Sequence, residues 1–418
     1  NNIVGLKPTL GALSATGVVP ACKTLDTISI FALNVDDAFA VYRATSEYDD
    51  SDGFSRRIPV SNLAPLPETF TVGVPSVETR EFYGDAEQEK SFDHTLDMIR
   101  ELGGTVVELD FSIFYQVAQM LYDGAWVAER FTVIEHLLKC KPDALHEITR
   151  EIIEKAEGLT AADAFRNIYY LKELETRVEP VLASVDMLCV PTAPTYYTVE
   201  QVISDPFDTN ARLGTYTNFV NLLDMCGIAV PVAKREDGLP GSVTLLAASG
   251  EDAKLASLAR VLQKESNTSP GATRWRLPEL TQTAGKPTTD EIELAVVGAH
   301  MSGLPLNGEL TRLNARFLRK AKTAACYRFY ALAGGPPYRP GLVRDDEGGS
   351  IEIETWAVPK SRFGEFMVGV PSPLGIGTLT LDTGEQVKGF ICEGKGIEGA
   401  TEITEFGGWR NYMASLAK

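Results

Sequence analysis

Histidine is scarce in this chain. Only His94, His136, His146 and His300 occur among 418 residues, and no two stand at a spacing that would ligate one ion. A structural metal site is therefore not expected. The six cysteines, Cys22, Cys140, Cys189, Cys226, Cys326 and Cys392, show neither a CxxC nor paired spacing, and most lie in apolar runs such as MLCVP and GFICEG. They read as buried free thiols in a reducing cytoplasm. No apolar run reaches the roughly 18 residues needed to span a bilayer, so a soluble protein is expected. Positive charge is also in short supply: 57 Asp and Glu outweigh 39 Lys and Arg, a net −18. Nucleic-acid affinity rests on Lys and Arg that neutralise phosphates, so a small molecule is the expected substrate and no nucleic-acid partner is. An anionic substrate would then need a local Arg to receive it.

What is present is an ordinary globular composition, 44% hydrophobic and 23% charged, long enough for two or three domains at about 150 residues each. From residue 1 to about 263 strand and helix patterns alternate. FTVGVPS (70–76) and GTVVELDF (104–111) are short β-branched runs, and EQEKSFDHTLDMIRELGG between them has helical spacing and a Gly-Gly stop. Residues 112–139 read as a long helical stretch interrupted at Gly124. Two further helices lead into a buried strand at MLCVP, and CGIAVPVAKREDGLPGSVTLLAA reads as two strands joined by a charged turn. The rhythm predicts a mixed α/β sheet covered by helices over residues 1–266. Pro, Thr, Gly and Ser crowd residues 267–290, which read as a linker. Beyond it, IELAVVGAH, CYRFYAL, SIEIETWAVP, GIGTLTL and EQVKGFICEG predict a smaller, strand-rich α+β domain over residues 291–418, with a basic segment, RLNARFLRKAKTAA, between its first strands.

Several long motifs carry a resemblance. GLKPTLGALSATGVVPACKTLDTISIFALNVDDA (5–38) and the acidic YDDSD (48–52) are similar to the core of the amidase signature family. MLYDGAWVAER (120–130) and PTAPTYYTVEQVISDPFDTNARLGTYTNFVNLLDMCGIAVPV (191–232), together with the second domain, resemble the allophanate hydrolases within it. The resemblance implies a Ser-Ser-Lys triad whose Lys base, bridging Ser and nucleophilic Ser lie upstream of the GLKPT turn, so none is assigned in this chain. It further implies hydrolysis of allophanate to ammonia and carbon dioxide in urea catabolism. The first domain would form N-carboxycarbamate and the second would break it down. No cofactor is implied. A functional link to a biotin-dependent urea carboxylase and a homodimer are.

Tyr122 and Arg130 stand eight residues apart, about 12 Å along a continuous helix. By residue type they fit either a packed Tyr beside a surface Arg or a pair holding the two ends of a small ligand, since an Arg fork suits a carboxylate. The resemblance makes them substrate-binding. Thr217 and Asn218 in GTYTNFVNLLD are expected to line the pocket, whereas Tyr216 and Asn221 read equally well as structural hydrogen-bonders. Thr244 is given no role.

In the second domain VVGAHMSGLPLN (296–307) is a strand running into a Gly-rich loop that ends at Asn307. A lone His is often structural, but at a strand end among glycines His300 is the candidate acid or base, with Asn307 as a substrate contact. The layout resembles the gamma-glutamylcyclotransferase-like fold. Glu354, Tyr338 and Arg339 are weaker candidates, and Trp409, Arg410 and Tyr412 are expected to pack, with one carboxylate contact. Two sequences mimic nucleophile motifs: GGSIE (348–352), which precedes a strand in the wrong domain, and SLAK (415–418) at the terminus. The rival reading is another amidase with a non-catalytic binding or dimerisation module.

Overall fold

The computed structural model describes residues 1–233, 235–280 and 285–416. It forms two compact units, Asn1–Val60 with Thr71–Leu280, and Ser61–Phe70 with Thr281–Lys418.

The first unit runs β1 (Val4–Lys7), β2 (Ile30–Ala32), α1 (Val35–Thr45), β3 (Phe70–Pro75), α2 (Ala86–Glu101), β4 (Gly104–Leu109), α3 (Ser112–Asp123) and α4 (Trp126–Cys140). It continues through α5 (Glu147–Glu154), α6 (Ala161–Leu182), β5 (Met187–Pro191), α7 (Val199–Ser204), α8 (Pro206–Leu213), β6 (Met225–Val232), β7 (Gly241–Ala248) and α9 (Asp252–Glu265). The strands form one seven-stranded sheet in the order β2-β1-β6-β7-β5-β3-β4, parallel at β3/β5 and antiparallel at β5/β7 and β6/β7. All five residues of β5 are buried, which is why MLCVP is apolar throughout and does not alternate. Polar residues start the helices: Asn34 accepts from the Asp37 N–H at α1, and Thr160 and Asp163 make a reciprocal capping box at α6.

The stretch 112–139 breaks where expected. Gly124 closes α3 by donating to the Met120 carbonyl, and α4 starts two residues later. A Cβ there would stand 2.4 Å from that carbonyl oxygen and 2.7 Å from Asn167 Oδ1 of α6, so this tight corner requires glycine. The residues read as a linker begin as part of this unit: Asn2 donates to the Ser269 and Gly271 carbonyls. Residues 281–284 of that segment lie outside the described residues.

The second unit contains β8 (Glu291–Val296), α10 (Asn307–Thr311), β9 (Arg316–Lys322), β10 (Tyr327–Ala331), β11 (Pro340–Arg344), β12 (Glu352–Pro359), α11 (Lys360–Val368), β13 (Leu374–Thr380), β14 (Gln386–Cys392), β15 (Thr401–Glu402) and α12 (Trp409–Leu416). A five-stranded sheet, β13-β14-β8-β12-β9, stands beside a three-stranded one, β11-β10-β15. Leu294, Val296, Phe317, Phe329, Ile353 and Trp356 fill its core. The basic segment contains a strand, β9, in which Arg316 sits over Glu291 at 2.7 Å and Arg319 over Glu293 at 3.0 Å, so these two arginines are paired within the sheet. Ser350 of GGSIE donates to the Thr323 carbonyl. SLAK begins in the last turn of α12, and its final two residues lie outside the described residues.

The expectation of buried thiols needs correction at two positions. Cys22, Cys189, Cys226 and Cys392 are buried, but Cys140 is exposed at the end of α4 and Cys326 is half-buried, because a helix end and a strand start leave them at the surface. Among the described residues no helix is long and apolar enough to cross a membrane.

Candidate active site

A cleft of about 600 Å³ in the first unit gathers Tyr122, Arg130, Thr217 and Asn218 from three separate stretches, with Cys22, Leu25 and Asn221 beside them. The corner at Gly124 folds α4 back on α3, and the Arg130 guanidinium comes to lie 4.7 Å from the Tyr122 ring centroid. The pair is thus stacked, and the 12 Å separation of a continuous helix does not apply. Stacking occupies the face of the cation and leaves its N–H edge for a planar anion. Among the described residues no side chain accepts a hydrogen bond from Arg130.

The rest of the cleft is fixed by hydrogen bonds. Tyr216 is buried, and its hydroxyl donates to the Glu81 carbonyl at 3.0 Å while accepting from the Glu81 N–H at 2.7 Å, a structural role. Asn221 donates to the Leu25 carbonyl at 2.9 Å. Asn218 folds against Gly214 and stands half-buried at the wall, with Thr217 exposed beside it. Glu129, which sequence reasoning did not single out, accepts from the Cys22 thiol at 3.0 Å. Burial, and then this carboxylate, push the thiol up to about 12, so Cys22 stays protonated and is no nucleophile at neutral pH.

In the second unit His300 is half-buried against two rings, stacked on Phe390 at 5.1 Å and edge-on to Phe366 at 5.4 Å. Its Nε2 lies 2.9 Å from Glu309 Oε2. A carboxylate on one ring nitrogen fixes the imidazole and its tautomer, the arrangement general-base histidines use. Burial lowers the His300 pKa below the ordinary imidazole value, Glu309 works against that, and the Arg339 charge adds to it. Asn307 donates to the His300 carbonyl at 2.9 Å, which ties down the loop.

Glu354, opposite Val296 in the β12/β8 register, receives the loop where it leaves the strand. It accepts from the Ser302 N–H (2.7 Å) and hydroxyl (2.8 Å), the Trp356 indole (3.2 Å) and Arg410 (2.8 Å). This is the carboxylate contact expected of Arg410. Tyr338 is exposed, and Trp409 is buried. Sequence reasoning singled out neither Glu129, whose partners Cys22 and Thr24 lie 107 and 105 residues away, nor Glu309, nine residues after His300.

Residues 1–256 match the family described as amidase, and residues 292–414 match the allophanate hydrolase C-terminal domain. The chain belongs to the amidase family. Within it, the chain is 40% identical to urea amidolyase of Saccharomyces cerevisiae, over 100% of this chain and 24% of that protein. Among solved structures it is similar to Kluyveromyces lactis allophanate hydrolase, with a TM-score of 0.73 and 38% identity, covering 100% of this chain and 70% of that one. The structure of K. lactis urea amidolyase matches with a TM-score of 0.72 and 38% identity, over 100% of this chain and 26% of that one. The chain therefore spans about a quarter of the length of the curated urea amidolyases, 24% in each of two.

Proposed function

We propose that this chain serves the hydrolysis of allophanate, urea-1-carboxylate, in urea catabolism. The observation that carries the reading is Arg130 stacked on Tyr122 in one cleft with Thr217 and Asn218. The guanidinium edge takes the carboxylate, the Tyr122 ring fixes the plane of the cation, and Thr217 and Asn218 meet the carbamoyl end. Water is added across the terminal amide C–N bond, releasing ammonia and leaving N-carboxycarbamate. Residues 1–266 serve this step.

Residues 291–418 carry the second. His300, neutral and held by Glu309, takes the proton from the carboxyl group of singly protonated N-carboxycarbamate and returns it to the nitrogen as carbon dioxide leaves by C–N cleavage. The carbamate left behind breaks down to ammonia and carbon dioxide. Asn307 commits its amide nitrogen to the loop and offers its oxygen to the ligand. The enzyme works in the cytoplasm as a homodimer and receives its substrate from a biotin-dependent urea carboxylase. The names of the urea amidolyase relatives support that link.

Ammonia and carbon dioxide release from allophanate by the intact protein tests the reading. Turnover of allophanate in preference to malonamate and aryl amides is expected. Preference for malonamate or aryl amides would point to another amidase. Unchanged carbon dioxide release in His300→Ala would favour the second reading, a non-catalytic C-terminal module.

A further inference from the structure

We infer that Glu129 is a positioning residue for the Arg130 cleft, a strut that sets the wall formed by residues 20–26 against α4. This rests on the allophanate reading and adds to it a residue that acts on the site without touching the ligand.

Three donors converge on the one carboxylate. The Thr24 N–H reaches Glu129 Oε1 at 2.8 Å, and the Thr24 hydroxyl and Cys22 thiol reach Oε2 at 2.6 and 3.0 Å. The wall is also closed on itself, because Asp26 accepts from the Ala21 and Cys22 N–H groups at 2.9 and 3.0 Å. Its far side is tied to Asn221 through the Leu25 carbonyl. Residues 20–26 are thus one hydrogen-bonded piece with two outside anchors, and Glu129 is the anchor on the helix that carries Arg130. Cys22, Leu25, Arg130 and Asn221 all line the cleft, so displacement of this piece changes the cleft's width.

The placement also settles the local charge. Neighbouring positions on a helix do not face each other, so with Glu129 turned to the loop, Arg130 is turned to Tyr122. The three neutral donors solvate the carboxylate on the side of the loop. A Gln there would keep its oxygen on the Thr24 N–H and turn its NH₂ to the Thr24 hydroxyl, which can rotate to accept, so it would retain part of the strut.

The test is steady-state kinetics on allophanate with the intact wild type, Glu129→Ala, Glu129→Gln, Thr24→Val and the Glu129→Ala/Thr24→Val double variant. We expect Glu129→Ala to raise KM by about tenfold or more with kcat changed less than about threefold, the split that marks lost ligand binding. Glu129→Gln and Thr24→Val should fall between it and the wild type. The double variant should be no worse than Glu129→Ala, because both remove the same strut. Should Glu129→Ala fail to fold, Thr24→Val still carries the KM shift. An unchanged KM in Glu129→Ala and Thr24→Val, measured beside an active wild type, or a loss confined to kcat, overturns the inference alone. A wild type inactive on allophanate overturns the functional reading, and this inference with it.

Discussion

The Arg130 guanidinium lies 4.7 Å from the centroid of the Tyr122 ring, across the corner between α3 and α4. That contact converts two residues two helical turns apart in sequence into one composite surface, an aromatic plate carrying a cation. If the cation takes the substrate carboxylate, Arg130→Ala should raise KM about 10- to 100-fold, the range that 1.5–3 kcal/mol for a charged hydrogen bond gives. Arg130→Lys should remain about tenfold impaired, since an ammonium lacks the fork and the planar stack. Measured KM values for allophanate decide this, and an unimpaired Lys variant would show that only charge matters.

Gly124 makes that corner. A methyl group in its place would stand 2.4 Å from the Met120 carbonyl oxygen and 2.7 Å from Asn167 Oδ1. The first is backbone of the preceding turn, which has little room to yield. Gly124→Ala should therefore cost about 1–3 kcal/mol of stability and raise KM, because α4 must swing and carry Arg130 off the Tyr122 ring. Denaturant titration beside kinetics checks both. A stable variant with normal KM would mean the corner relaxes without moving the pair.

Much of the architecture was legible because burial writes itself into the sequence. The buried strands β5 and β6 read as continuous apolar runs, and α2 was bounded by an acidic start and a Gly-Gly stop. The strand β9 was harder to see. Its Arg316, Arg319, Lys320 and Lys322 look like a solvated basic segment, and the Glu residues that pair with the two arginines lie in other segments, in β8 (Glu291 and Glu293) and at Glu385. The same reason hid Glu129. A carboxylate on a helix has no sequence mark of its role when its donors arrive from 107 residues away, as Cys22 does. Tyr122 and Arg130 could be named, but their contact could not, since it depends on how sharply one glycine lets the chain turn.

Glu354 should hold the second unit together. It is 2% exposed and accepts from four donors, of which only Arg410 is charged. Glu354→Ala leaves the Ser302 N–H and hydroxyl and the Trp356 indole without their acceptor, while Arg410 keeps the Ser302 carbonyl and Glu68, so a loss of about 2–4 kcal/mol is expected. Glu354→Gln keeps the shape and loses part of the acceptance, so about 1–3 kcal/mol is expected. Trp356 and Trp409 report on this region, so unfolding followed by tryptophan fluorescence measures it. No loss of stability in Glu354→Ala would remove the network from the account.

The pH dependence of the second step should follow His300, and two neighbours should move it in opposite directions. Burial, the larger influence, keeps the imidazole pKa below its ordinary value, so the base is neutral at neutral pH and the acid limb of the profile falls below about 6.5. Glu309 opposes that lowering, so Glu309→Gln should shift the acid limb to still lower pH. The Arg339 charge reinforces it, so Arg339→Gln should shift the limb upward. Stability carries the matching sign. Below about pH 6.5 the unfolded imidazole binds a proton more readily than the folded one, so this group makes the fold less stable as pH falls, and His300→Gln should remove that part of the slope. Carbon dioxide release measured across pH 5 to 8 in the two variants separates the roles. Limbs that move in the same direction, or not at all, would mean that another group titrates in the second step.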